Sequence, residues 1–273
     1  MKEKKIAVIM SVYHKDSVDW TKLAIESILA QSYNNFELFI IVDGSVSEEM
    51  KRLISLYEKN KSINIKNRMI NRGLAFSLNE LIDRIIDIGG FDYVARMDSD
   101  DISRPERFSK QIAFLEEHTD IDVLGGYCHE FGADFALPIK KMPLAHDELI
   151  DYSIRRCPFV HPTVMFRCNI FSDGVRYPIH TQLTEDLALW LELLVRGRKF
   201  ANIPEVILDY RINDSTLQRR AGLKKAFSEI ALRRRYMKLL NRNTVTNNVY
   251  IFSRIPFHLL PNFLLKVCYR ICR

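Results

Sequence analysis

Residues 91–118, FDYVARMDSDDISRPERFSKQIAFLEEH, hold an apolar run, a cluster of acids and a helical pattern in direct succession. Phe91 to Asp98 is rich in aromatic and β-branched residues and reads as a strand, and apolar residues recur at helical spacing after Pro105, which suits a first helical turn. The acids therefore fall where a strand hands over to a helix. Working towards the amino terminus, the same unit recurs three times. KIAVIMSV (5–12) precedes TKLAIESILAQ (21–31). FELFIIVDG (36–44) precedes SEEMKRLISLYEKN (47–60), with Ser47 as its cap, and SINIKNRM (62–69) precedes LAFSLNELIDRII (74–86). Four such alternations predict an α/β fold with a mostly parallel central sheet flanked by helices. Ligands of such sheets sit beyond the carboxyl ends of the strands.

Towards the carboxyl terminus the alternation is less regular. Short strands are expected near 121–124, 163–167 and 203–210, and one strong helix over 184–197. This half, about 121–217, reads as the acceptor side of the same domain, whose ligand-binding half is about 1–120. From about residue 222 the chain turns helical and basic, and after NRNTVTNN (241–248) an apolar tail is broken by Pro256 and Pro261.

The chain has 273 residues, 47% hydrophobic and 27% charged, enough for one globular domain with a small appendage. The formal charge of +6 is unevenly spread. Residues 218–273 hold 13 Lys or Arg against the single acid Glu229, whereas the preceding 217 residues are net acidic. The five cysteines form no CxxC pair and their number is odd, which fits a reducing cytoplasm. MKEKKIAVIMSVYHKD reads as a first strand and not as a signal peptide, and no apolar run approaches a membrane span.

Four polar clusters lie at expected strand ends or loop starts. Asp98, Ser99, Asp100 and Asp101 follow VARM; carboxylates one residue apart at a strand end can share one hard cation, though an acidic turn capping a helix looks the same. Asp43 and Gly44 close FELFIIVDG, where a carboxylate can accept an N–H from a pyrimidine and glycine lets backbone approach closely. Asn71, Arg72, Gly73 and Asn79 offer a guanidinium fork beside a tight turn. Thr184, Glu185 and Asp186 open LALWLELLVRG, where acids serve as helix caps but also as a general base.

These clusters, in this order, resemble family 2 glycosyltransferases of the GT-A (Rossmann-like) fold over roughly residues 4–215. The matching stretches are IAVIMSVYH, IIVDGS, NRGLAFSLNELI, ARMDSDDISRPERFSKQ, FVHPTVMFR, LTEDLALWLELL and YRINDST. The resemblance implies a DxD pair, Asp98 and Asp100, holding Mn²⁺ or Mg²⁺, with Asp100 the main ligand and Asp101 in support. It implies that Val12, Tyr13, Asp43, Arg72, Ser99 and Arg211 bind the nucleotide-sugar, that Asp186 is the catalytic base with Glu185 beside it, and that His161 and Trp190 lie on the acceptor side. Two departures stand out: IIVDGS has one acid where many relatives have two, and Asn213 stands where many have His, so that Arg211 or Asn213 takes over part of that role. No QxxRW motif of processive synthases is present, which implies one sugar per encounter.

The implied activity is inverting transfer of a sugar from a nucleotide diphosphate donor, UDP-linked by preference, to a saccharide acceptor in bacterial O-antigen, capsule or exopolysaccharide synthesis. The tail IFSRIPFHLLPNFLLKVCYRICR (251–273) mixes aromatic, aliphatic and basic residues, suited to peripheral contact with the inner face of the cell membrane and hence to a lipid-linked acceptor. A nucleic-acid role lacks a recognition module. A sugar nucleotidyltransferase would need a Gly-rich phosphate loop where this chain has SVYHKDS, and a non-catalytic relative would be expected to have lost an acid at 98, 100 or 186.

Overall fold

A computed structural model describes residues 3–181, 184–213 and 223–257. The expected boundary at residue 217, and the last part of the basic tail, 258–273, lie outside the described residues. The amino-terminal half runs β1 (Ile6–Val12), α1 (Val18–Leu29), β2 (Phe36–Asp43), α2 (Glu48–Tyr57), β3 (Ile63–Arg68), α3 (Leu74–Ile88), β4 (Tyr93–Arg96), β5 (Ile102–Ser103) and α4 (Arg107–Glu117). There follow β6 (Val123–Phe131), α5 (His146–Arg155), β7 (Met165–Arg167), α6 (Glu185–Val195), β8 (Phe200–Arg211), α7 (Leu223–Leu239) and α8 (Val245–Phe257).

The strands form one eight-stranded sheet in the order β3-β2-β1-β4-β7-β6-β8-β5. Parallel pairing joins β3, β2, β1 and β4 and also β6 with β8, while β7 runs antiparallel to both β4 and β6, and β5 antiparallel to β8. Alternate residues of the central strands feed two cores. Val8, Met10, Leu38 and Ile40 pack with α1, α2 and α4, whereas Ala7, Ile9, Phe39 and Ile41 pack with α3 and α6. Helix α2 starts where Ser47 was expected to cap it, its hydroxyl accepting the Met50 N–H at 3.2 Å.

The half from residue 121 onward departs from expectation in two places. The strand expected to end near 124 continues as β6 to Phe131, straight through Gly125 and Gly126. Glycine is a poor strand former, but a Cβ on Gly125 would meet the Phe159 ring at 2.6 Å and one on Gly126 would meet Ile207 at 2.7 Å, so close packing requires the pair. Helix α5 was not anticipated. At the carboxyl end, α8 begins inside the polar stretch NRNTVTNN, with the Thr244 hydroxyl accepting the Asn247 N–H at 3.2 Å.

Helices α7 and α8 pack against α5 and α6 through Ile230, Tyr236, Met237 and Ile251, which cover Ile154, Leu187 and Leu191. The buried Arg233 fastens this hairpin. Its guanidinium pairs with Glu229 at 2.7 Å and donates to the carbonyls of Ser153 and Ile154 at 2.8 and 2.7 Å, satisfying orphan acceptors at the end of α5. Among the described residues, no helix is long and apolar enough to cross a membrane.

Candidate active site

The carboxyl ends of β2 and β3 build a charged pocket around Asp43, which is 2% exposed. Its carboxylate accepts from the backbone N–H groups of Arg72 at 2.9 Å and Gly73 at 2.8 Å, and from the Arg68 guanidinium at 2.7 Å. Arg68 in turn contacts Glu80, which also pairs with Lys66 at 2.5 Å. Gly44 has φ +88°, and a Cβ there would meet the Asn71 nitrogen at 2.8 Å, so the loop closes on Asp43 only with glycine at this point. Asp43 is therefore preorganised by the 71–73 turn. The exposed Arg72 stacks its guanidinium 4.1 Å from the Phe76 ring centroid. Asn79 plays a structural part, its amide bonding the Tyr177 backbone in both directions, at 2.7 and 2.8 Å.

Beyond β4, the acidic turn is stitched to the loop after β1. Asp16, which no sequence motif singles out, accepts from the Ser99 hydroxyl at 2.8 Å and from the Tyr13 N–H at 3.0 Å. Val12 is 0% exposed and belongs to the core, so only its backbone is available to a nucleotide. Asp98 is paired with the buried Arg96. Asp98, Asp100 and Asp101 bring ligand oxygens within 4.8 Å of one another.

Asp101 is fully buried; its Oδ1 accepts the Arg211 N–H at 2.7 Å and its Oδ2 has no hydrogen-bond partner among the described residues. Burial, and then the charges of Asp100 and Asp98, push its carboxyl well above the usual carboxylate range. A buried oxygen lacking a donor, beside two further carboxylates, fits a hard divalent cation. Arg211 borders the cluster: its Nε donates to the Asp100 carbonyl at 2.9 Å, and its guanidinium lies 4.4 Å from the Trp20 ring centroid and 4.3 Å from that of Phe131. Asn213 follows β8 and is half-buried.

The second group of acids opens α6. Asp186 accepts the Leu187 N–H at 2.7 Å on Oδ1, while the Cys157 thiol lies 3.6 Å from Oδ2. Glu185 is the first residue of the helix and half-exposed. His161 bonds the Tyr177 hydroxyl through Nε2 at 2.8 Å, and burial, then the Arg96 charge, hold its imidazole well below the ordinary histidine range, hence neutral. The Tyr177 phenol is pushed upward by burial; the Arg96 charge opposes this, and those of Asp186, Asp98 and Glu185 add to it. The charges of both acidic groups thus act on this one hydroxyl.

Trp190 corrects the expectation for the acceptor side. It is 0% exposed and packs on Phe159, Phe166 and Phe200, touching His161 edge-on at 5.8 Å. It backs the His161 ring from within the core and offers no exposed surface. Arg68, Asp16, Cys157 and Tyr177 join the site without any local motif to announce them.

A model of the family described as Glycosyl transferase family 2 matches residues 7–173. An Escherichia coli UDP-Gal:alpha-D-GlcNAc-diphosphoundecaprenol beta-1,3-galactosyltransferase is 34% identical over 263 residues, covering 94% of this chain and 92% of that protein. The amylovoran biosynthesis glycosyltransferase AmsE of Erwinia amylovora is 29% identical, covering 96% and 97%. Among solved structures, a Pyrobaculum calidifontis mannosyltransferase in complex with GDP-Man and Mn²⁺ superposes with a TM-score of 0.68 at 14% identity, over 98% of this chain and 75% of that one. S. aureus TarS 1–349 in complex with UDP gives 0.64 at 15% identity, over 93% and 70%. At such identities the structural likeness speaks for the fold alone, which is GT-A.

Proposed function

The chain belongs to glycosyl transferase family 2, and from that membership we propose that it is an inverting transferase moving one sugar from a UDP-sugar to a lipid-linked saccharide in bacterial surface-polysaccharide synthesis. The observation that carries the site reading is Asp101, whose buried, unpartnered oxygen sits within a triad of carboxylates at the carboxyl edge of the sheet. When bound by Asp98, Asp100 and Asp101, Mn²⁺ or Mg²⁺ would neutralise charge on the departing diphosphate.

Asp43, held by the 71–73 turn, receives the base, with Tyr13, Arg72 and Ser99 beside the nucleotide and Arg211 beside the donor phosphates. Asp186 accepts the proton of an acceptor hydroxyl as its oxygen bonds the anomeric carbon from the face opposite the leaving group. The bond from that carbon to the donor phosphate breaks, its electron pair leaves with the nucleoside diphosphate, and the anomeric configuration inverts. Glu185 and His161 shape the acceptor side, where the neutral imidazole adds no competing charge to Asp186.

The UDP preference and the lipid-linked acceptor draw on the activity for which the 34% identical relative is named. The test is thermal shift and slow hydrolysis with UDP-, GDP- and dTDP-sugars, with and without Mn²⁺. Metal-dependent stabilisation by one UDP-sugar is expected, and a response confined to GDP- or dTDP-sugars would remove the UDP assignment. Silence towards every donor would remove the donor-site reading.

Peripheral membrane contact is proposed through the outward face of the hairpin. Val245, Val249 and Phe252 are 81%, 64% and 45% exposed, at helical spacing along α8. Exposed Arg234, Arg235 and Lys238 line α7, and the Arg234 guanidinium lies 5.9 Å from the Phe252 ring centroid. Near anionic lipid, each basic residue contributes about 1 kcal/mol. The protein is expected to cosediment with phosphatidylglycerol-rich vesicles, and a V249E/F252E variant to lose most of that binding. Equal binding of the variant would place the contact elsewhere.

A further inference from the structure

Cys157 stands two residues beyond α5, in the segment leading to the turn that carries His161. Its Sγ lies 3.6 Å from Oδ2 of Asp186, 29 residues away along the chain. The segment around it is fixed on both sides. Before it, the carbonyls of Ser153 and Ile154 are held by the buried Arg233, and the Arg156 N–H bonds the Tyr152 carbonyl at 2.7 Å. After it, the Pro158 carbonyl accepts from the Asn202 amide at 3.2 Å. The sulfur is thereby presented to α6 by backbone that has little freedom to move.

We infer that Cys157 is a positioning residue for sugar transfer, its S–H donating to Oδ2 of Asp186 and aiming the carboxylate at the acceptor hydroxyl. This rests on the reading of Asp186 as the base. Among the described residues, donors from two directions reach the carboxylate: the Leu187 N–H on Oδ1, within α6, and the Cys157 thiol on Oδ2, from the preceding segment. Burial, followed by the Asp186 charge, pushes the Cys157 thiol upward, which favours the protonated, donating form.

The choice of sulfur has a chemical consequence. A donor that bonds the carboxylate favours its ionised form and so weakens it as a base. A thiol is a weak donor, so it sets direction at little cost in basicity, whereas a hydroxyl on the same carbon would stabilise the anion more strongly. Position 157 therefore tunes the base as well as orienting it.

The test compares Cys157→Ala, Cys157→Ser and Asp186→Asn in the full chain, reading thermal stability, donor KM, kcat and the pH profile of kcat. Cys157→Ala is expected to lower kcat about 5- to 10-fold, the equivalent of about one hydrogen bond, with donor KM unchanged and the acid limb moved to higher pH. Cys157→Ser is expected to restore most of kcat and move the acid limb below that of the native protein, a displacement that a purely packing role for the sulfur would not produce. If Asp186→Asn is inactive while both Cys157 variants keep the native kcat and acid limb, the positioning role is overturned and the base assignment stands. If Asp186→Asn retains activity, the base assignment itself is overturned, whatever the Cys157 variants do.

Discussion

Replacing Asp186 with Asn is expected to yield a folded protein whose transfer rate falls on the order of 10²- to 10⁴-fold, the usual worth of a positioned general base. The fold survives because the asparagine carbonyl still accepts the Leu187 N–H that Asp186 now accepts at 2.7 Å. What disappears is a negative charge in the first turn of α6, worth about 0.3–1 kcal/mol of helix stability. On the proposed reading, donor binding relies on Asp43 and the 98–101 turn and is expected to be untouched, so the loss falls on kcat and not on donor KM. Activity within threefold of native would remove Asp186 from the role.

The second large effect is expected at Asp101, where stability and activity should move in opposite directions. In Asp101→Asn the side-chain oxygen keeps the Arg211 N–H bond, now 2.7 Å, while a fully buried carboxylate with an unpartnered oxygen is exchanged for a neutral amide. Without metal, the variant should melt at or above the native temperature, because the cost of burying that group is relieved. With Mn²⁺ the native protein should gain stability and the variant should not. Its transfer rate should fall about 10²- to 10³-fold, since a metal supplies several kcal/mol of charge stabilisation. A variant that keeps both the Mn²⁺-induced shift and the rate would exclude Asp101 as a ligand.

These two residues illustrate what the chain discloses as a string. The β–α alternation from Ile6 to Glu117 was legible because β1, β2 and β4 are buried on both faces and the helices carry clear apolar stripes. The direction of β7 was not, because pairing depends on neighbours distant in sequence, and β6 was cut short because its glycines oppose strand propensity while tertiary packing demands them. The acids at 98–101 were legible as a cluster, yet among the described residues burial singles out Asp101 as the carboxylate short of a partner, and burial is a property of the assembled sheet. The family resemblance placed Trp190 on the acceptor side. However, α6 is buried on nearly every side between two cores, so that position faces inward. Cys157 and Tyr177 come from separate stretches that meet only through the fold.

The grip of Arg233 on the end of α5 spans 79 and 80 residues of chain. At about 5–20 residues per second of synthesis, those carbonyls, together with Leu187 and Leu191, wait roughly 4–16 seconds or less for the helices that cover them. The cores of the sheet half that carries Asp43 and Asp98 take only the partly buried Leu240 from the hairpin, whereas the shelf on which Cys157 meets Asp186 is covered by α7 and α8. A nascent chain therefore completes the sheet edge at Asp43 and Asp98 before the shelf at Asp186, and a message cut short before residue 223 is expected to yield a polypeptide with an uncovered greasy shelf, a target for chaperones and proteases.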